Sequence, residues 1–118
     1  RGGGGNDVVA DSLFENCVAG GTNATYGEAG ADTVLGGPNF DVLFGGDDND
    51  ILNGLGGGDW VLGEAGLDTI FANDGLIDFL SCGTNPAGSR DVAIVDFEFF
   101  SFLPLDNVNV DCEDVRPS

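Results

Sequence analysis

An all-β solenoid is the fold class this sequence predicts, on three observations. A nine-residue unit recurs along the chain, its sixth position is an aspartate, and its eighth is an aliphatic residue. Read in frame, the units are GGGGNDVVA (2–10), GEAGADTVL (27–35), GGPNFDVLF (36–44), GGDDNDILN (45–53), GLGGGDWVL (54–62) and GEAGLDTIF (63–71). The acids are Asp7, Asp32, Asp41, Asp50, Asp59 and Asp68; the aliphatics are Val9, Val34, Leu43, Leu52, Val61 and Ile70. A glycine turn, an acid and a short apolar strand, repeated at a fixed period, describe a coil in which each unit buries its face against its neighbours.

Each part of the unit has a physical reason. Glycines at positions one, two and four permit positive φ and close chain approach in a tight turn. They are Gly27, Gly36, Gly37, Gly45, Gly46, Gly54, Gly57, Gly63 and Gly66 among others. Glu28, Leu55 and Glu64 replace the second glycine, and Asn39 and Asp48 replace the fourth. Asn and Asp tolerate the left-handed region, and they bring side-chain oxygens to the turn. The three residues after the acid form a strand whose side chains alternate, so position eight points inward. Successive turns then fall on opposite sides of the coil, and units two apart become neighbours.

Three zones follow. Residues 1–26 are a degenerate start: DSLFENCVA (11–19) keeps the length with Asn16 at the acid position, and GGTNATY (20–26) falls two residues short and carries Thr25 there. Residues 27–80 hold the regular coil, although the ruler slips after Phe71 and Asp78 arrives ten residues after Asp68. Residues 81–118 are a non-repetitive capping or interaction region.

Composition says that such a coil needs help to form. Glycine accounts for 21 of 118 residues and the net charge is −18, so both backbone entropy and self-repulsion oppose compaction. Yet 42% of residues are hydrophobic, too many for a solvating acidic tail. Cations that neutralise the acids on folding reconcile the two. Three basic residues in all leave no extended basic surface, which argues against a nucleic-acid partner. No run is long enough for a membrane span, and no signal peptide stands at the start. Methionine is absent, so the expected chain is mature, excised or truncated. Cys17, Cys82 and Cys112 allow one intramolecular pair and one leftover thiol. Without histidine or a CxxC pair, zinc is not expected. A disulfide, and with it an extracellular setting, is.

The donor chemistry selects the ion. Calcium takes six to eight oxygens from carboxylates and carbonyls in tolerant geometry, whereas magnesium demands a near-octahedral shell and keeps its waters. Glycine turns expose carbonyls, and the sixth-position acid supplies charge.

These units resemble the RTX nonapeptide-repeat (hemolysin-type) family, whose fold is a parallel β-roll. The resemblance implies calcium held between turns two units apart by both sixth-position aspartates and by turn carbonyls, with about three to five ions in all. Carried onto this chain, the pairs are Asp32 with Asp50, Asp41 with Asp59, Asp50 with Asp68, and Asp59 with Asp78 or Asp74. Asp7 is expected to face the turn at 20–25, which lacks an acid, and so to hold an ion weakly or not at all. Residues 72–118 resemble the end of bacterial, actinobacterial-type secreted calcium-binding proteins. The matching residues run from Asp74-Gly75 through Asp78 to Cys82-Gly83, then Asp91 to Asp96, then Asp106-Asn107-Val108 to Cys112-Glu113-Asp114-Val115. That likeness implies a Cys82–Cys112 disulfide within an irregular C-terminal cap.

Two surfaces complete the expectation. Outward positions of units 36–44 and 54–62 are Val42, Phe44, Trp60 and Leu62, an apolar wall; Thr33, Leu35, Ile51, Asn53, Thr69 and Phe71 make the opposite wall more mixed. Phe97, Phe99, Phe100 and Phe102 crowd the segment FEFFSFLPL (97–105). Either this segment folds over its own wall or caps the coil, or wall and segment meet between molecules in a homo-oligomer or filament. Catalysis lacks a histidine base, and no serine has a triad partner. The expected protein is a non-catalytic, secreted calcium-binding roll that orders on binding metal, an extracellular structural or self-assembling subunit. The alternative is the C-terminal repeat module of a larger secreted enzyme, adhesin or toxin. Chelation is expected to unfold it, and so is acid, because the ligands must be ionised.

Overall fold

A computed structural model of the protein describes residues 1–10, 23–72, 74, 76–84, 91–95, 107–108, 112 and 114–117. Every regular element among them is a strand. One sheet holds β1 (Gly3–Gly4), β3 (Asn23–Ala29), β5 (Asp41–Asp47), β7 (Trp60–Ala65), β9 (Phe79–Ser81) and β11 (Asn107–Val108), hydrogen-bonded in that order. The other holds β2 (Val8–Ala10), β4 (Thr33–Leu35), β6 (Ile51–Asn53), β8 (Thr69–Ala72), β10 (Val92–Val95) and β12 (Asp114–Pro117), again in sequence order. All pairings are parallel. Odd and even strands alternate between sheets because each nine-residue unit carries one strand and one turn. The protein is therefore a parallel β-roll.

Register follows the repeat. Thr33 pairs with Ile51 and Ile51 with Thr69; Val42 pairs with Trp60. Each step skips one unit, so identical positions stack. Val34, Leu52 and Ile70 stack on one inner face and Leu43, Val61 and Leu80 on the other, nearly all with no exposed surface. A slip of one residue would turn this whole set outward, so the aliphatic column fixes the register.

Past Leu80 both sheets continue. Trp60 pairs with Phe79 and Thr69 with Val92, so the extra residues fall in the turns and the strands keep their partners. Ala93 and Val95 are fully buried beside the bonded pair Cys82 and Cys112, which lies inside the core. The opening units need a correction. Asn23, two residues before Thr25, pairs with Asp41 and so takes the acid's place in the register, while Thr25 pairs with Leu43 and is buried at the inward position. The parallel ladder aligns strands rather than counting back from the next glycine, so the acid position falls at Asn23 and not at Thr25. Asn16, Cys17 and Phe97, Phe99, Phe100 and Phe102 lie outside the described residues.

Candidate metal centre

Sixth-position aspartates form two ladders, one at each edge of the roll. In the first, the Asp7 amide donates to Asp32 Oδ1 (2.7 Å), the Asp32 amide to Asp50 Oδ1 (2.8 Å), the Asp50 amide to Asp68 Oδ1 (2.9 Å) and the Asp68 amide to Asp91 Oδ1 (2.8 Å). In the second, the Asp41 amide donates to Asp59 Oδ1 (2.9 Å) and the Asp59 amide to Asp78 Oδ1 (2.6 Å). Every acid from Asp32 onward in these ladders is at most 2% exposed. Each rung uses one carboxylate oxygen to satisfy a buried N–H of the turn before it, so the acid organises the turn as well as charging it. In four of these acids the second oxygen is left over. Oδ2 of Asp32, Asp50, Asp59 and Asp68 is buried and accepts no hydrogen bond from the protein. Buried carboxylate oxygens without a partner are costly, and a column of them points to a cation.

The glycine turns show where such a cation's other ligands lie. A Cβ on Gly45 would sit 2.5 Å from the Gly63 carbonyl oxygen and 2.6 Å from Asp50 Oδ2. The same convergence recurs at Gly27, with the Gly45 carbonyl and Asp32 Oδ2, and at Gly36, with the Gly54 carbonyl and Asp41 Oδ2. Position one is thus glycine because the space beside its Cα belongs to oxygens. Positions two and four carry the left-handed backbone: Glu28 (φ 84°), Asp48 (φ 79°), Leu55 (φ 68°) and Glu64 (φ 76°) adopt it alongside Gly46, Gly57 and Gly66. Strain at four non-glycine residues marks turns whose shape is set by what they enclose. Among the described residues no three Asp, Glu, Cys or His side chains gather at one point, so backbone carbonyls must complete any donor set. An all-oxygen set of carboxylates and carbonyls suits calcium.

Electrostatics agree. Burial, reinforced by neighbouring acids, raises Asp50 from 3.8 to about 6, and Asp59 and Asp68 to about 7, against the lowering effect of the amide each accepts. Ionising the columns is therefore unfavourable unless positive charge enters the turns.

Most expected side-chain ligands fall in one of these ladders; Asp74, Asn39 and Asp48 do not. Asp78, rather than Asp74, partners Asp59; Asp74 is exposed and accepts from the Leu76 amide of its own turn. Asp7 faces Asp32, 25 residues on, and not the turn at 20–25, because β2 pairs with β4. Asn39 and Asp48 are exposed. Asp91, fully buried, was not among the expected ligands, although Asp91-Val92-Ala93 repeats the acid–strand signature with a small residue two places on. Fifth-position asparagines add rungs of their own: Asn6 Oδ1 accepts from the Ala31 amide (3.1 Å) and Asn49 Oδ1 from the Leu67 amide (2.9 Å).

On the apolar wall, Trp60 is 50% exposed and meets Phe40 and Phe79 edge-on at 6.1 and 6.0 Å between ring centroids. Phe44 stacks flat on Tyr26, which the Arg1 guanidinium covers, and Leu62 is half-buried. Phe40 and Phe79 extend the exposed strip beyond the expected residues, and Ile77 and Leu76 in the turn before β9 are exposed as well.

The RTX calcium-binding nonapeptide repeat (4 copies) is the family whose model matches this chain, over residues 26–61 and 54–75. No curated protein and no solved structure matches it. The matched stretch spans Asp32, Asp41, Asp50, Asp59 and Asp68, acids of both ladders whose carboxylates and neighbouring turn carbonyls suit calcium. Over residues 26–75, therefore, the chain is similar to the RTX calcium-binding nonapeptide repeat family.

Proposed function

We propose that this protein is a non-catalytic, secreted calcium-binding roll that folds as it takes up calcium and serves as an extracellular structural, self-assembling subunit. The observation that carries the reading is the column of buried, partnerless Oδ2 atoms facing position-one carbonyls. Sites fall between Asp32 and Asp50, Asp41 and Asp59, Asp50 and Asp68, and Asp59 and Asp78. Bound calcium supplies the positive charge that lets these acids ionise inside the roll. The chain's own part is to present the carboxylate pair, hold it with turn amides, and exclude side chains from the space with glycine. Parallel strands deliver both halves of each site from units two apart, so a site exists only when the roll is wound. Binding and folding are then one event.

Secretion fits the disulfide and a calcium-rich exterior. Self-assembly would use the strip of Phe40, Trp60, Phe79 and Ile77, all at least 37% exposed on one face. The second reading, a repeat module within a larger secreted enzyme, adhesin or toxin, uses the ladders in the same way. Edge strand β2, with Val8 75% exposed, is where further strands would extend the sheet. Far-UV circular dichroism during calcium titration tests the main reading: strand signal should grow cooperatively with calcium and disappear with chelator. A spectrum indifferent to both would sink it.

A further inference from the structure

The first ladder does not stop where the repeats stop. We propose that the turn at Cys82, together with Asp91, closes a further divalent-cation site against Gly63 and Asp68, and that this site takes calcium. The inference rests on the calcium reading above and extends it to a part of the chain that the repeat family does not match.

Four observations carry it. Asp91 is fully buried and its Oδ1 accepts from the Asp68 amide at 2.8 Å, as Asp68 does from Asp50 at 2.9 Å. The Val92 amide donates to the Asp68 carbonyl at 2.9 Å, the bond that Thr69 makes to Asp50 at the same distance. The strand after Asp91 is therefore registered like any repeat strand. A Cβ on Gly63 would meet Asp68 Oδ2 and lie 2.6 Å from the Cys82 carbonyl, the convergence seen at Gly45 with Asp50 and Gly63. Cys82 thus stands at position one of a turn, and Gly83, with φ 90°, at position two, where Gly46 has φ 119°. Asp68 Oδ2, buried and without a protein partner, faces this carbonyl.

Cys82 also explains why the ladder ends here. Position one elsewhere is glycine because a Cβ would fill the space that the next site's oxygens converge on. Cys82 has a Cβ, and its sulfur is bonded to Cys112. The cysteine's carbonyl completes the site behind it while its side chain occupies the place where a further site would open. The disulfide then fixes the carbonyl that the terminal ion needs.

Native mass spectrometry of the oxidised, calcium-loaded protein tests this. Wild type and Asp91→Asn are compared at the same free calcium; the variant should hold one ion fewer, with the rest retained. An unchanged ion count overturns this inference alone, whereas a wild-type protein that holds no calcium overturns the calcium reading with it. Should Asp91→Asn not fold, hydrogen exchange on wild type decides. Calcium should slow exchange of the Asp68 and Val92 amides at least tenfold, together with those of Asp50 and Thr69. Protection of Asp50 and Thr69 with no change at Val92 would overturn it.

Discussion

Replacing Asp50 by asparagine should move stability in opposite directions with and without calcium. Asp50 sits between two rungs: its Oδ1 accepts from the Asp32 amide at 2.8 Å and its own amide donates to Asp68 Oδ1 at 2.9 Å. Asparagine keeps the shape and can keep the accepting oxygen. It places an NH2 where Oδ2 faces the Gly63 carbonyl, converting two crowded oxygens into a donor and an acceptor. Burial holds Asp50 at about 6 rather than 3.8. At about 1.4 kcal/mol per pH unit, an ionised Asp50 costs the roll roughly 3 kcal/mol near neutrality when no cation offsets it. The substitution removes that cost in chelator. In calcium the balance reverses, because Asp50 serves two sites. A site filled at 100 times its Kd contributes about 2.7 kcal/mol, so losing both costs about 5 kcal/mol. Urea titrations followed by Trp60 fluorescence measure the sign in calcium, and residual strand signal by far-UV circular dichroism measures it in chelator, where the wild-type chain is largely unfolded. A loss in calcium accompanied by a loss of residual strand in chelator would refute the reasoning, since it would make Asp50 an ordinary core residue.

Other perturbations separate the parts of the account. Gly45→Ala should abolish calcium uptake between Asp50 and Asp68, seen as one ion fewer by calorimetry, while Gly4→Ala, whose Cβ meets nothing within 4 Å, should change neither uptake nor stability. Leu52→Ala, at a position with no exposed surface, should cost about 2–5 kcal/mol in denaturant titrations of the calcium-loaded protein, without changing the number of ions bound. The pH response should also split. Asp50, Asp59 and Asp68 bind protons more tightly in the roll than in the unfolded chain, so their destabilising effect is absent below about 3.8 and grows as pH rises through 6 to 7. In chelator the roll should gain strand signal by circular dichroism as pH falls from 7 towards 4; in calcium, acid should instead release the ion and loosen the roll. Trp60→Ser should weaken self-association about tenfold or more in sedimentation velocity, because the indole is the largest exposed ring on its wall.

Much of this was legible in the residues because the repeat is strict. The aspartate at position six and the aliphatic at position eight define an inward column and an alternating pair of sheets, and Asp32, Asp41, Asp50, Asp59 and Asp68 fall into line accordingly. Legibility failed where spacing changed. Counting predicts Thr25 at an acid position, but strand pairing puts Asn23 opposite Asp41 and turns Thr25 inward. The same logic carries Asp7 to Asp32 and lets Asp91, 23 residues beyond Asp68, complete a ladder. A nine-residue ruler cannot see this, because turns absorb insertions cheaply while parallel hydrogen bonding does not tolerate a slip. Phe79 was missed for the same reason: it follows Asp78 as Trp60 follows Asp59, but the slipped frame hid the equivalence.

The most direct measurement is the anomalous difference density of a crystal grown in millimolar calcium. The account predicts peaks in the turns between Asp32 and Asp50, Asp41 and Asp59, Asp50 and Asp68, and Asp59 and Asp78, each within bonding distance of an aspartate Oδ2 and a position-one carbonyl. A well-ordered roll with no peak at any of these turns would contradict it.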